Sequence, residues 1–419
     1  MSMLNPGDVI RTRSAKEFRI DKLLGVGSQA DVYLLNDGRS VFKRFRDREE
    51  LSRVRWLINR RLPADLPLAL PTDLVEDMAH GGYISAFANG GTLASLLADP
   101  ALSYADSICV AHGIMDNLAK IHAHMAHGDV REENIFVVTH RDACGTLAVD
   151  SVIYIDADNY AAEDAPLPMY LGDTLVMAPE LRRTRDPRFV SRSADVYAAA
   201  QILHLLLLRH NDSGFVTSPA EFSEAMLAGH WHSDMFGATR RDTGLVGQGF
   251  RAEMLDSRMA SLFRAALQAD PALRPSARQV ADHLHALLTQ GRIVHCPHCN
   301  WPMMLEPGVT RCAHTHHCGK AFDQPRLVLP GGHQVPVTGS LVLGRGELGN
   351  ERVSKRHLLL SRAGPLVCVR DLDSSNGTYV RDDASASWHR LAPNEEVYLC
   401  PHPHDSLLKA GGVELMLRF

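Results

Sequence analysis

The chain of 419 residues has room for roughly two to four domains at the usual ~100–200 residues each. Its 45% hydrophobic and 22% charged residues are those of an ordinary globular protein. With 44 Lys and Arg against 49 Asp and Glu, the formal charge is −5, which excludes a general basic field for nucleic acid and a long one-signed tail. The most apolar run, 198–208, is broken by Gln201 and His204 and is shorter than the ~20 residues of a bilayer span. The opening MSMLNPGDVIRTRS has no apolar leader core. A cytoplasmic protein without membrane or nucleic-acid partners is expected.

The first section, 1–290, opens with strand-like alternation at 18–24 and 31–35, then a helical stretch at 48–60. After residue 90 the period lengthens: Ile114, Leu118, Ile121 and Met125, spaced 4, 3 and 4, mark one face of a buried helix. Further helices are expected at 194–208 and 259–267. A small β-rich part followed by a larger α-rich part implies two lobes with a cleft between them. The second section, 291–324, is too short for an apolar core of its own. The third, 325–419, reads as short strands (SLVLG, HLLLS, LVCVRDL, TYV, EVYLC, VELMLRF) separated by turn signals such as Pro330-Gly331-Gly332 and Asn376-Gly377. An all-β sandwich is expected there.

In the first section Gly25-Val26-Gly27-Ser28-Gln29-Ala30-Asp31-Val32 lies between two strand patterns. Glycines serve any tight hairpin, so alone this says little. Downstream, however, stand Lys43 in the next strand, His127-Gly128-Asp129 with Asn134 five residues past the Asp, Asp156 at the end of an apolar strand, Ala178-Pro179-Glu180, Asp195 in a helix, and Arg274. This ordered series resembles the protein kinases, and departures from their usual motifs make it similar to a divergent bacterial branch of the Ser/Thr kinases. The resemblance implies a bilobal α+β fold that uses ATP and magnesium.

Phosphoryl transfer is mainly positioning and electrostatic stabilisation. By resemblance, backbone around Gly25, Val26, Gly27 and Val32 covers the nucleotide and Lys43 neutralises its phosphates. An acid on the following helix would hold Lys43. Glu50, on one helical face with Val54 and Leu57, is the first choice and Glu49 its competitor. Asp129 would take or orient the proton of the attacking hydroxyl, while Asn134 and Asp156 supply oxygens to magnesium, a hard cation. His127, the Glu180–Arg274 ion pair and Asp195 would have structural roles. His122 and His124 read as helix-end residues, not as a metal cluster.

Some features depart from the family pattern. Ala30 replaces the third glycine, Gly128 stands where many kinases carry an arginine, and Asp156-Ala157-Asp158 replaces Asp-Phe-Gly. Without that arginine, activity is not expected to depend on phosphorylation of the activation segment. Alternatives are a nucleotide-binding pseudokinase scaffold and a kinase acting on a small molecule; Ala178-Pro179-Glu180 and Arg274 favour a protein substrate.

Cys296, Cys299, Cys312 and Cys318 fall within 23 residues, whereas Cys109, Cys144, Cys368 and Cys400 are scattered. A local cluster reads as a metal site, and four thiolates fill the tetrahedral positions of zinc, leaving none for water. A segment this short needs the metal to fold. It resembles a zinc ribbon that joins and orients its neighbours, although His298, His314, His316 or His317 could replace one cysteine.

In the third section Gly344-Arg345, Ser354-Lys355-Arg356-His357 and Ser374-Ser375-Asn376-Gly377-Thr378 stand between strands. The constellation resembles the forkhead-associated (FHA) domain, which recognises phosphothreonine. An arginine fork and loop hydroxyls suit the three oxygens and nearly two charges of that group. By resemblance, Arg345, Ser354 and Ser375 hold the phosphate, Asn376 bonds the peptide backbone, and Arg356 or Lys355 adds charge. His357 would fix the loop and Gly377 form a turn with positive φ.

The expected chain is thus a multidomain Ser/Thr kinase (1–290), zinc ribbon (291–324) and FHA domain (325–419). It is similar to kinases of the tellurite-resistance-associated phosphorylation triad, which act beside a PP2C-type phosphatase and a von Willebrand A protein. The FHA domain would capture phosphothreonine on partners or on the chain itself, with Thr184 and Thr217 unranked candidates.

Overall fold

The computed structural model describes residues 3–27, 29–47, 51–76, 81–99, 102–141, 147–168, 176–209, 231, 252–315, 317–381, 387–399 and 405–419. The chain divides into two compact units, 1–250 with 261–284 and 251–260 with 285–419.

In the first unit six strands form one antiparallel sheet: β1 (Val9–Arg11), β2 (Glu17–Val26), β3 (Ala30–Leu35), β4 (Ser40–Phe45), β5 (Pro71–Val75) and β6 (Gly82–Ala86), in the order β1-β2-β3-β4-β6-β5. Alternation sorts their side chains into two clusters. Ile10, Ile20, Tyr33, Leu35, Phe42, Val75 and Ile84 form one. Ala30, Phe45, Leu74 and Tyr83 pack with Leu51 and Val54 of helix α1 (Leu51–Asn59) in the other.

The chain then turns helical. After β7 (Gly91–Thr92) and α2 (Leu93–Leu97) comes α3 (Tyr104–His122), opened by a capping box between Ser103 and Asp106. Its predicted face, Ile114, Leu118 and Ile121, is fully buried. The hairpin β8 (Ile135–Arg141) and β9 (Leu147–Tyr154) completes a three-stranded sheet with β7. Helices α4 (Pro179–Thr184), α5 (Arg192–Leu208), α6 (Ser257–Ala266) and α7 (Ala277–Thr289) follow. Gln201 and His204, which interrupt the apolar run of α5, are themselves buried. Among the described residues no helix is long and apolar enough to cross a membrane.

In the second unit a short hairpin, β10 (Ile293–His295) with β11 (Pro302–Met304), precedes a β-sandwich. Its strands are β12 (Arg326–Val328), β13 (Gln334–Pro336), β14 (Ser340–Leu343), β15 (Leu358–Ala363), β16 (Leu366–Asp371), β17 (Thr378–Arg381), β18 (His389–Arg390), β19 (Glu396–Leu399), β20 (Ser406–Ala410) and β21 (Val413–Arg418). One sheet runs β13-β12-β21-β20-β17-β18 and the other β14-β15-β16-β19. Leu327, Leu343, Leu358, Leu360, Val367, Val369, Leu408 and Leu415 fill the space between them. The cysteine segment solves its lack of a core by borrowing one. Cys296, Met303, Leu305, Cys312 and Phe322 cluster with Ala363, Leu366, Cys368 and Tyr398 of the sandwich.

Candidate functional site

In the first unit the strand and hairpin ends bring the predicted residues together. Lys43 on β4 makes ion pairs with Asp156 and, at 2.9 Å, with Asp158. Both acids come from the turn after β9, where Asp156 adopts a left-handed backbone at φ 64° and ψ 57°. Burial would discharge Lys43, but Asp158 and Asp156 outweigh it and hold the ammonium well above its usual range. The two acids divide. Burial and the neighbouring Asp156 push Asp158 up, whereas Lys43, against the effect of burial, holds Asp156 down. The Oδ1 of Asp158 is buried without a hydrogen-bond partner.

Asp129 lies in the loop before β8. The Asn134 amide nitrogen donates to its carboxylate at 2.8 Å and to its carbonyl at 3.0 Å, leaving the amide oxygen outside these bonds. Arg131, which no sequence motif marks, approaches the same carboxylate at 3.4 Å. Burial, with a contribution from Asp156, raises Asp129 above the ordinary carboxylate range against the pull of Arg131. Beside Asp129, Val130, Met177, Ala178, Leu181, Val190 and Ala198 line a small apolar pocket. Amide and carboxylate oxygens, as on Asn134 and Asp156, are the donor types that a hard cation takes.

The loop is held from beneath by Asp195, which accepts the His127 and Gly128 N–H groups at 2.6 and 2.9 Å and contacts His122 Nε2 at 3.0 Å. His127 is fully buried, with Nε2 3.0 Å from the Ile155 carbonyl and Nδ1 accepting the Asp129 N–H. Gly128 has φ +83°, and a Cβ there would collide with the Asn159 carbonyl. Glu180 at the start of α4 meets Arg274 in a two-pronged pair at 2.7 Å on each side.

The glycine loop is the β2–β3 connection. Gly27 N–H donates to Ala30 O at 2.8 Å, and Arg46 donates to the Gly27 carbonyl at 2.9 Å and to Asp31 at 2.8 Å. Gly25 has open space around it, Val26 is 54% exposed and Val32 half-buried. Glu49 and Glu50 lie outside the described residues, as do Ser28, Cys144, Thr217, His316 and Cys400.

In the second unit the Sγ atoms of Cys296, Cys299, Cys312 and Cys318 all lie within 4.8 Å of one another, so these four residues could hold a zinc ion. The His298 and His314 N–H groups donate to Cys296 and Cys312 Sγ, both at 3.4 Å, as in a metal knuckle. Four thiols this close cannot ionise together without a cation. The His314 ring stacks on Trp301 at 3.8 Å, and the His298 ring contacts the Ala321 carbonyl.

At one end of the sandwich three loops meet around Ser354. Its carbonyl accepts the Arg345 N–H at 2.9 Å, its Oγ accepts the Ser375 N–H at 3.1 Å, and its own N–H donates to His357 Nδ1 at 3.1 Å. Arg345 Nε is fixed on the Val353 carbonyl at 3.1 Å while the side chain stays exposed. Asn376 Nδ2 donates to the Arg352 carbonyl at 2.6 Å. His357 is buried and its Nε2 lies 3.1 Å from the carbonyl of Gly377, whose φ is +78°. Lys355 and Arg356 are exposed on the same loop. Asp371, which no sequence motif marks, braces the last loop by accepting the Ser374 N–H and hydroxyl at 2.9 and 2.6 Å and the Thr378 hydroxyl at 2.5 Å.

No curated protein matches the chain. Residues 340–400 match the FHA domain family. The sandwich with its loop cluster is therefore an FHA domain, of a family that binds phosphothreonine-containing proteins.

Proposed function

We propose that the chain is a Ser/Thr protein kinase whose FHA domain captures phosphothreonine on partners or on the chain itself. The reading is carried by one observation in the first unit: Lys43 is paired with the acids after β9, while Asn134 steadies Asp129. Lys43 offsets the charge of the ATP phosphates under the Gly25–Gly27 turn. Asp156 and Asn134 would hold magnesium, which would neutralise charge on the phosphate oxygens. A substrate hydroxyl oxygen bonds the γ-phosphorus, the bond to the bridging oxygen breaks, ADP leaves and the hydroxyl proton passes to Asp129. In the second unit, Arg345, Ser354 and Ser375 receive the phosphate, with Asn376 on the peptide backbone and Arg356 or Lys355 adding charge. A phosphatase of the PP2C type and a von Willebrand A protein remain partners proposed by resemblance.

The test is incubation of the full chain with magnesium and labelled ATP, followed by mapping of the modified residues. Phosphate incorporation that Asp129→Ala and Asp156→Ala abolish supports the reading; nucleotide binding without transfer leaves an FHA scaffold in its place. Arg345→Ala is expected to abolish phosphothreonine-peptide binding while leaving transfer intact.

A further inference from the structure

Arg53 on α1 is only 1% exposed and is the largest of the fully buried side chains in the described residues. A buried guanidinium is costly unless its N–H groups are matched, so its partners show what it is for. Three of them are main-chain carbonyls of the segment after β9: Asp158 at 2.9 Å, Tyr160 and Pro166. The guanidinium also lies 4.6 Å over the Tyr160 ring, and the Tyr160 hydroxyl donates back to the Arg53 carbonyl at 2.8 Å. Helix α1 is therefore clasped to this segment by its arginine. From the clasped residue Asp158 the side chain, 5% exposed, runs to Lys43.

We infer that Asp158 is the positioning residue for Lys43 and Arg53 the strut that holds Asp158 in place. An anchor of the lysine thus comes from the segment after β9. Two acids on one ammonium also separate two tasks. When a cation takes Asp156, Lys43 can exchange that partner for a phosphate oxygen and still be held from the other side by Asp158. The inference rests on the phosphoryl-transfer reading for its activity readout.

The experiment compares ATP kinetics of the full chain with those of Asp158→Asn and Arg53→Met. Both are expected to raise the KM for ATP about tenfold, with a smaller loss in kcat, because the phosphates meet a lysine no longer fixed. Asp158→Glu, which keeps a carboxyl group, is expected to recover part of the affinity. Unchanged KM in Asp158→Asn overturns the inference, as does a larger KM effect in Glu50→Gln. If the wild-type chain transfers no phosphate, the kinase reading fails by itself. The pair is then read from unfolding midpoints of Lys43→Met, Asp158→Asn and the double variant. Non-additive shifts support the pairing, and additive shifts overturn it.

Discussion

The Arg362 guanidinium on β15 donates to the Phe322 carbonyl at 2.8 Å and to the Asp323 carbonyl at 3.0 Å. With it, Gly308 N–H bonds the Arg362 carbonyl at 2.7 Å and Gly364 N–H the Val309 carbonyl. One strand of the FHA sandwich is thereby stitched to the cysteine segment, and Leu366, Cys368 and Tyr398 close the core around Cys296 and Cys312. The two modules share one core.

Loss of zinc is therefore expected to reach the phosphopeptide loops without touching them. Apparent zinc-binding energies of small modules, ~10–16 kcal/mol, match or exceed the ~5–15 kcal/mol net stability of a typical domain. A strong chelator, or Cys312→Ser, should melt 291–324, expose the face of Leu366 and Tyr398, and lower both the unfolding midpoint and the phosphothreonine-peptide affinity. Elemental analysis for one zinc per chain, followed by calorimetry and peptide titration during chelation, checks this. Full affinity in metal-free protein would show the modules to be independent.

Asp371 is 2% exposed, and its three accepted hydrogen bonds, with His357 nearby, hold its carboxyl below the usual range despite burial. A depressed folded value contributes stability above the unfolded value of ~4 and loses it as pH falls through the folded one. The FHA domain should thus weaken below about pH 4, and Asp371→Asn should flatten that dependence. At neutral pH Asp371→Ala strands the buried Thr378 hydroxyl, at about 1–3 kcal/mol, and frees the loop carrying Ser375 and Asn376. Urea unfolding against pH, with peptide binding beside it, measures both effects.

What was legible in the sequence follows from range. The α3 face and the sandwich strands repeat at helix and strand periods, so Ile114, Leu118 and Ile121, or the alternation of β15, could be read locally. Motif spacing likewise marked Lys43, Asp129, Asn134 and the four cysteines. Arg53, Asp158 and Asp371 carry no such mark, because what defines each is a carbonyl or hydroxyl brought near by folding. His122 ends α3 as expected, while its contact with Asp195, 73 residues away, is invisible in the local sequence. The shared core of the cysteine segment was hidden for the same reason, since half of it belongs to β15, β16 and β19.

The Glu180–Arg274 pair is a buried charge on each side, with the Arg274 side chain fully enclosed and also donating to the Gln268 carbonyl at 2.9 Å. Removing one partner leaves the other unmatched, which costs ~3–5 kcal/mol for buried pairs, whereas replacing both by apolar groups costs far less. Arg274→Ala is expected to destabilise the first unit by that order, and Glu180→Leu with Arg274→Met by much less. Denaturant unfolding of the three variants decides it; equal losses would mean that the charges themselves carry the stability.

Gly128 tests whether the missing arginine of the His127–Asp129 loop is a regulatory or a steric choice. Its φ of +83° costs an L side chain ~1–2 kcal/mol, and any Cβ must also displace the Asn159 carbonyl, one residue from Asp158. Gly128→Ala should lower the unfolding midpoint and, by shifting the turn that carries Asp156 and Asp158, reduce phosphoryl transfer. Under the proposed function, Gly128→Arg, which supplies the arginine many kinases use to receive an activating phosphate, should lose activity and gain no dependence on phosphorylation. An active Gly128→Arg chain that responds to a phosphate in its own 160–176 segment would show that the close approach to Asn159 can yield, and that the glycine is there to remove a switch.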